Sequence, residues 1–258
     1  MNICLFDKAE IESPEPFLSF DDKRGEHILK VLHKVQGDSF TAGIVDGASG
    51  VAVITKLDDT AHRIYFTFTA TGDGKPLNPL KMIVGFVRPI QLRRLLRDVA
   101  ALGVSELHLT GTELGEKSYM QSDLAQPEKV RELLLEGTVQ AGSTHVPAVF
   151  IHKSVKECLD CVGSLSLSKG AGSKGTQRLQ RRLCLDNVTP VCSLSDAMVP
   201  AGEIIAAIGS ERGWTDKERA LFEAVGFIRC GMGERIMRTE TAVTVAGAII
   251  LNEIGVLK

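Results

Sequence analysis

Aromatic residues are scarce in this sequence, and long hydrophobic runs are absent from it. Phe, Trp and Tyr make up 5% of the 258 residues, so the core has to be built mainly from Leu, Ile, Val and Ala, as in buried parallel strands. The longest apolar stretch, 242–251, is too short to cross a bilayer, and no basic segment precedes an apolar one as in a secretory signal. We therefore expect a cytoplasmic protein without a membrane segment.

Cysteine and histidine show no arrangement typical of a disulfide framework or a metal centre. A chain of this length can bury a core without disulfides, so the six cysteines are expected to be reduced. Cys158 and Cys161 have the spacing of a metal or redox pair, but no second pair accompanies them and both fall within a helical pattern. The six histidines are not grouped at metal-ligand spacing either. The sequence thus predicts a structural role for the two cysteines and no metal site.

Positive and negative charges are nearly balanced, with a net charge of −2 and a pI near 6.3. This balance excludes indiscriminate binding of polyanions but leaves room for a local basic patch. Arg93, Arg94 and Arg97 lie on one side of a predicted helix, 90–102. They form either its solvent-exposed face or part of a surface for RNA, and the sequence leaves both readings open.

The chain divides into two parts with different patterns. Alternating apolar and polar residues predict strands at 39–45, 50–56 and 63–70, with one helix at 25–35. A turn-rich segment follows at 71–79, which is typical of a domain linker. We therefore expect a small β-rich domain at 1–74 and a second domain at 75–258.

In the second part strands and helices alternate, which predicts an α/β domain with a parallel sheet flanked by helices. The predicted strands are 81–86, 106–110, 148–151, 183–186, 204–208 and 227–230. Helical spacing of apolar residues predicts helices at 90–102, 128–137, 155–162, 215–226 and 239–254. The last helix is apolar almost all round, so we expect it to be buried by its own sheet and by a partner subunit.

Two glycine-bearing loops near the C-terminus each follow a predicted strand. They are Gly209-Ser-Glu-Arg-Gly213 and Gly231-Met-Gly-Glu-Arg-Ile-Met-Arg-Thr-Glu-Thr-Ala242. Ligands of parallel sheets bind outside the carboxyl ends of the strands, where backbone N–H groups point outward unpaired. Charged side chains in a turn cost free energy unless they have partners, so a purely structural turn would not explain the presence of Arg235, Arg238 and Glu240 in the second loop. We therefore expect a ligand site at these two loops.

Another glycine-rich segment, 170–175, matches the dinucleotide-binding pattern GxGxxG. The serine-rich segment before it is too polar for a central strand, and the strand at 183–186 follows too soon for a full crossover helix. A flexible loop of Gly, Ser and Lys over 163–176 is the expected structure, and its role stays open.

The two C-terminal loops resemble the motifs of the RsmE family of small-subunit ribosomal RNA methyltransferases, within the SPOUT superfamily of knotted S-adenosylmethionine enzymes. The family has GPEGG where this chain has 209–213, and RILRTETA where it has 235–242. The segment 26–38 is similar to the family's HxxxVLRxxxGD. The resemblance implies a knotted parallel sheet flanked by helices, preceded by a small PUA-like β-barrel domain that binds RNA.

The sequence also departs from the family pattern. Ser210 and Arg212 replace the Pro and the second Gly of GPEGG. The other substituted positions are Ala101 in ELGV, Val139 and Ser143 in EQxxR, and His33 in VLR. Because several of these positions would face RNA, cofactor binding is a firmer expectation than the identity of the target nucleotide.

The resemblance implies that S-adenosyl-L-methionine donates a methyl group to N3 of a uridine in the 16S ribosomal RNA of the small ribosomal subunit, and that the enzyme is a homodimer. Arg238 is expected to stabilise charge on the uracil oxygens, with Glu240 or Glu211 as the base. The expected cofactor contacts are Leu185, Ile208, Gly209, Glu211, Gly213, Met232, Gly233, Ile236, Met237 and Thr239. The expected RNA contacts are Arg24, His27, Lys30, Arg88, Arg94 and Arg235.

Two other functions are compatible with the sequence. One is a non-catalytic RNA-binding or ribosome-assembly factor of the same fold, and the other is a SPOUT methyltransferase with a different target nucleotide. The retained Arg238 and Glu240 favour activity, whereas the substitutions at Arg212 and Ser143 favour loss or change of it.

Overall fold

The computed structural model describes residues 2–168, 180–199 and 202–257. The chain divides into two compact units, of which the first comprises Met1–Pro76 and Leu135–Val146 and the second Leu77–Leu134 and Pro147–Lys258. Within the described ranges, no helix combines the length and the apolar character needed to span a membrane. The GxGxxG segment at 170–175 lies outside the described residues.

The first unit is built on a five-stranded sheet. Its elements are β1 (Cys4–Phe6), α1 (Lys8–Ile11), β2 (Phe17–Ser19), α2 (Lys23–Glu26), β3 (Ser39–Ile44), β4 (Ser49–Asp58) and β5 (Arg63–Gly72). The strand order is β1-β3-β4-β5-β2, with β1 parallel to β3 and the other neighbours antiparallel. Phe6, Phe40 and Phe66 pack together in its core. The strands predicted at 39–45, 50–56 and 63–70 are confirmed as β3, β4 and β5.

The helix predicted at 25–35 is wrong in its extent. α2 ends at Glu26, and His27–Val31 continue it as a π-helical turn, in which the Leu32 N–H donates to the His27 carbonyl at 2.9 Å. His33 then has a φ of 50°, and this left-handed conformation ends the helical segment.

The second unit alternates strands and helices along the chain, as predicted. Its elements are β6 (Asn78–Gly85), α3 (Pro89–Ala101), β7 (Val104–Thr110), α4 (Lys117–Met120), α5 (Pro127–Ala141, whose last residues belong to the first unit), β8 (Ala148–His152), α6 (Val155–Ser168), β9 (Gln180–Leu185), β10 (Cys192–Ser193), α7 (Leu194–Ala197), β11 (Glu203–Ile208), α8 (Asp216–Ala224), β12 (Ile228–Gly231) and α9 (Thr239–Glu253). The seven strands form a parallel sheet in the order β10-β12-β9-β11-β6-β7-β8. The predicted α/β class is confirmed.

Helices cover both faces of this sheet because its strands are apolar on both sides. On one face Ile83 and Ile205 share a buried cluster with Leu159 of α6 and Phe222 of α8. Met82 points to the opposite face, where α9 packs against β6 and α3. The parallel sheet is therefore buried between helices, as its nearly continuous apolar strands predict.

Two helix boundaries bear on the predictions. The helix predicted at 215–226 is confirmed as α8, and a capping box marks its start, since the Glu218 N–H donates to Thr215 Oγ1 at 3.2 Å and the Thr215 N–H donates to Glu218 Oε2 at 2.9 Å. α6 extends to Ser168, so the flexible loop predicted over 163–176 is wrong for 163–168, which continue the helix. The remaining part of that segment lies outside the described residues.

Candidate functional site

The loops that follow β9, β11 and β12 meet at the carboxyl edge of the parallel sheet. β9 lies between β11 and β12, so the three strands end side by side. Their loops line a cavity of about 440 Å³. This volume lies within the range of sites for small molecules and cofactors, about 300 to 1,000 Å³. The two glycine-bearing loops thus open onto one cavity.

The first loop, 209–213, forms a tight turn. The Gly213 N–H donates to the Ser210 carbonyl at 2.8 Å, and Gly213 has a φ of 71°, a left-handed conformation that favours glycine. The buried indole of Trp214 donates from Nε1 to the Leu185 carbonyl at 3.2 Å. The turn and the indole together fix this loop relative to the end of β9.

Residues after β7 also hold the first loop. Thr112 Oγ1 donates to Ser210 Oγ at 2.9 Å, and the Glu113 N–H donates to Glu218 Oε1 at 2.9 Å. Ser210 stands where the GPEGG pattern has Pro, and its hydroxyl takes a hydrogen bond that Pro could not accept. The departure from the pattern at this position is therefore accommodated by a specific contact.

The second loop leads into α9 and is tied to the first. Thr239, in the first turn of α9, donates from Oγ1 to the Gly209 carbonyl at 3.2 Å. Arg238 is the exposed N-cap residue of α9, and Glu240 in its first turn is only 5% exposed. The N–H groups at the start of a helix stabilise negative charge, so the position suits the Glu240 carboxylate. An arginine and a carboxylate thus lie together at the wall of the cavity.

Arg88 and Glu211 form an ion pair that also lines the cavity. Arg88 Nε lies 3.2 Å from Glu211 Oε1. A hydrogen bond with Tyr119 and the charge of Glu211 raise the pKa of Arg88 above its ordinary value. Both side chains are partly exposed, so the pair contributes little to stability, and either charge is accessible to an incoming ligand.

Asp186, directly after β9, is the most firmly held carboxylate of the cavity wall. Arg219 Nε donates to Asp186 Oδ2 at 2.8 Å, and the Val188 N–H and the Thr189 hydroxyl also donate to this carboxylate. Burial raises the pKa of Asp186, but the hydrogen bonds from Arg219 and Val188 outweigh that effect and hold the pKa below its ordinary value. Asp186 is therefore ionised at neutral pH and fixes α8 to the end of β9.

Every residue predicted to bind cofactor or to act in catalysis lies around this cavity. These residues are Leu185, Ile208, Gly209, Glu211, Gly213, Met232, Gly233, Ile236, Met237, Arg238, Thr239 and Glu240. The fold thus brings these residues to one site, while the role of each stays a prediction.

The predicted RNA contacts are distributed over both units. In the second unit Arg88 and Arg235 line the cavity, and Arg94 is exposed on α3. In the first unit Lys30 is exposed and pairs with Glu26 at 2.9 Å. His27 is half-buried, and burial lowers its pKa.

Arg24 has a different environment from the other predicted RNA contacts. Its guanidinium donates to Glu10, to Asp22 and to the Leu5 carbonyl, and these contacts use all five of its N–H groups. An arginine held in this way connects α1, α2 and β1. The structure therefore favours a structural role for Arg24 over the predicted contact with RNA.

Several cavity residues were not predicted from the sequence. They are Gln91, Asp186, Asn187, Ser210, Cys230 and Ala242. Asp186 and Asn187 directly follow β9. Because ligands bind beyond the carboxyl ends of parallel strands, this position after a strand is the signal in the sequence that points to them. Gln91 lies on α3, and its sequence context carries no comparable signal.

Comparisons with known proteins identify relatives over nearly the whole chain. The RNA methyltransferase domain family matches residues 74–251. The ribosomal RNA small subunit methyltransferase E of Treponema pallidum (strain Nichols) is 41% identical over 252 residues, which cover 97% of this chain and 91% of the relative. The ribosomal RNA small subunit methyltransferase E 1 of Borreliella burgdorferi is 27% identical, with 97% of each chain covered.

Solved structures share the fold. A ribosomal RNA small subunit methyltransferase E from Neisseria gonorrhoeae, bound to S-adenosyl methionine, has a TM-score of 0.74 at 23% identity. The match covers 98% of this chain and 97% of the chain in that structure. A probable rRNA-methyltransferase from Porphyromonas gingivalis has a TM-score of 0.75 at 17% identity, with 100% of both chains covered. At these identities the two structures show a common fold for both units of the chain.

Proposed function

The chain belongs to the family of ribosomal RNA small subunit methyltransferases E, and from this premise we propose that it transfers a methyl group from S-adenosyl-L-methionine to N3 of a uridine in 16S ribosomal RNA. The observation that carries the proposal is the convergence of both glycine-bearing loops on one cavity, with Arg238 and Glu240 in its wall. Such a reaction takes place where ribosomes are assembled, in the cytoplasm.

The cavity has the composition that S-adenosylmethionine requires. Leu185, Ile208 and Met237 offer apolar side chains for an adenine ring, and the glycine-bearing loops bring backbone groups close to a ligand. When bound, the cofactor supplies an electrophilic methyl group on a positively charged sulfur.

The reaction requires removal of the proton from uracil N3 and stabilisation of the charge that develops on the neighbouring oxygens. Arg238 is a fixed cation at the start of α9, and it lowers the barrier if its guanidinium donates to these oxygens. Glu240 is the stronger candidate for the base, because Glu211 already pairs with Arg88. In this assignment Arg88 and Glu211 position the substrate.

The proposal is tested by separating cofactor binding from turnover. Arg238→Ala is expected to bind S-adenosylmethionine with wild-type affinity in calorimetry and to lose about 100- to 1,000-fold in methyl transfer to small ribosomal subunits. Arg131→Ala is the matched control, since Arg131 is exposed on α5 and does not line the cavity. Full turnover by Arg238→Ala would contradict its catalytic role. If the wild-type protein fails to bind S-adenosylmethionine at millimolar concentration, a non-catalytic RNA-binding factor is the better explanation.

We also propose that the enzyme is a homodimer whose interface borders this edge of the sheet. Ile90 and Ile236 are 75% and 82% exposed, and Val188 is 65% exposed, although all three follow the carboxyl ends of strands. Large apolar side chains with such exposure favour burial by a second copy of the chain. Ile90→Asp is expected to shift the sedimentation of the protein from dimer to monomer, whereas Val35→Asp, an exposed apolar residue of the first unit, leaves it unchanged. A monomeric wild-type protein would contradict this proposal.

A further inference from the structure

A cluster of three buried side chains lies on the second unit away from the cavity of the candidate site. His108 on β7 and Cys158 on α6 are fully buried, and His152 at the end of β8 is 5% exposed. One ring nitrogen of each histidine and the sulfur of Cys158 all lie within 4.8 Å of one another. None of the three lines the cavity between the glycine-bearing loops.

The sheet register explains why the two histidines meet. His108 is opposite Phe150 and Thr110 is opposite His152, so the two imidazoles are diagonal neighbours on the same face of adjacent strands. Their rings are stacked with centroids 5.2 Å apart, and His108 Nδ1 lies 3.0 Å from His152 Nε2. α6 then covers this face and brings Cys158 to the pair.

We propose that His108 Nδ1, His152 Nε2 and Cys158 Sγ bind a zinc ion. In a tetrahedral zinc site, bond lengths near 2.0 Å for nitrogen and 2.3 Å for sulfur place the ligand atoms about 3.3 to 3.6 Å apart. The two ring nitrogens are 3.0 Å apart, and Cys158 Sγ lies within 4.8 Å of one nitrogen of each ring, so the proposed site requires the sulfur and the rings to approach by about 1 Å. Two imidazoles and one thiolate favour zinc over magnesium or calcium, which prefer oxygen ligands.

A carboxylate lies close to one of the two histidines. His108 Nε2 is buried and lies 3.6 Å from Glu106 Oε2, which is longer than a hydrogen bond. The negative charge of Glu106 at this distance favours the proton on Nε2, which leaves the lone pair of Nδ1 for the metal.

Zinc binding changes the protonation of the cluster in a defined way. The Cys158 side chain is fully buried, and burial disfavours a thiolate, so the thiol carries its proton before the metal binds. When the Zn–S bond forms, the S–H bond breaks and one proton passes to the solvent. The imidazoles stay neutral, with their protons on His108 Nε2 and His152 Nδ1, so one proton is released for each zinc ion bound.

The proposal is tested on the full chain without a histidine tag, after treatment with a chelator. In a titration with zinc against a chromophoric chelator, the protein is expected to bind one zinc ion per chain. Calorimetry in two buffers is expected to show that one proton is released for each zinc ion bound. Cobalt added in place of zinc is expected to give a thiolate-to-metal charge-transfer band. Occupied wild-type protein is expected to unfold at a higher temperature than the stripped protein.

Substitution of two cysteines on one helix provides the matched comparison. Cys158→Ser is expected to weaken zinc binding by about 100-fold or more and to abolish the cobalt band, because serine does not provide a soft anionic ligand. Cys161→Ser, one helical turn away on α6 and partly exposed, is expected to keep both. If wild-type protein shows no stoichiometric site, no cobalt–thiolate band and no thermal shift, the proposal is wrong and the cluster is a hydrogen-bonded core contact. Equal loss in both variants would also contradict it.

Discussion

The hydrogen bond from Thr239 to the Gly209 carbonyl is expected to couple α9 to the first glycine-bearing loop. The bond is 3.2 Å long, and Thr239 is 4% exposed. Thr239→Val keeps the shape and the β-branch of the side chain and removes only the hydroxyl, so it leaves a buried carbonyl without this donor. Such a loss costs about 1 to 3 kcal/mol, which corresponds to about 5- to 150-fold if all of it falls on ligand binding.

The lower end of that range is expected for Thr239→Val. Two other hydrogen bonds also hold the first loop, from Thr112 to Ser210 and from Trp214 to Leu185. We therefore expect S-adenosylmethionine to bind about 5-fold more weakly, which corresponds to about 1 kcal/mol. Calorimetric titration measures the affinity, and urea unfolding of the metal-free and cofactor-free protein measures the stability.

Thr244→Val is the matched control for this prediction. Thr244 is on the same helix and donates to the Glu240 carbonyl at 3.1 Å and to Asp98 at 3.3 Å, but it does not line the cavity. The control is expected to lose stability and to keep its affinity for S-adenosylmethionine. Wild-type affinity in Thr239→Val, or an equal loss in both variants, would refute the coupling between α9 and the loop.

Three further outcomes are expected. Asp186→Ala removes the buried carboxylate from the 11%-exposed Arg219 side chain, which keeps only the exposed Asp216 as an ion-pair partner. The free energy of unfolding is expected to fall by about 3 kcal/mol in urea denaturation, and a loss below about 1 kcal/mol would contradict the structural role of the pair. Lowering the pH from 6.5 towards 4 protonates His108 in the unfolded chain before the folded one, so the free energy of unfolding of the metal-free protein is expected to fall by up to about 3 kcal/mol over this range. A free energy of unfolding that does not change with pH over this range would contradict the burial of a neutral His108. Ser210→Pro restores the family residue but removes the hydroxyl that accepts a hydrogen bond from Thr112. This variant is expected to bind the cofactor more weakly in calorimetry, and tighter binding would show that the hydrogen bond is dispensable.

The alternation of strands and helices in the second unit could be predicted because each element has its own periodicity. The strands from β6 to β12 are short apolar runs bounded by turns, and the helices carry apolar residues at helical spacing. β10 and α7 were not predicted, since two and four residues carry too little pattern. A knot is implied only by the family resemblance and could not be derived from the residues, because general rules of chain connection disfavour it.

Contacts between distant parts of the chain could not be predicted in the same way. In the first unit β1 pairs in parallel with β3, 38 residues further on, and no local pattern specifies this partner. Likewise, His108 and His152 are 44 residues apart in sequence and meet only through the register of β7 and β8. The absence of metal-ligand spacing in the sequence therefore carried no information about this cluster.

The candidate site was more accessible to sequence reasoning than these contacts. Its two main loops are continuous segments, so the residues of 209–213 and 232–240 could be assigned together. The residues that hold the loops in place were harder to predict. Thr112, Trp214 and Arg219 make hydrogen bonds to residues that are distant in sequence and that only the fold brings close. The predicted RNA contact at Arg24 illustrates the same point, because its three acceptors come from separate parts of the first unit.

The central claim is methyl transfer to N3 of a uridine in small-subunit ribosomal RNA. The most direct measurement incubates the purified protein with isotope-labelled S-adenosylmethionine and small subunits from a strain that lacks the enzyme, and then identifies labelled nucleosides by mass spectrometry. One labelled 3-methyluridine per subunit is expected, and Arg238→Ala is expected to give no more than about 1% of the wild-type label. Label in another nucleoside or on a ribose hydroxyl, or no label at all, would contradict this claim.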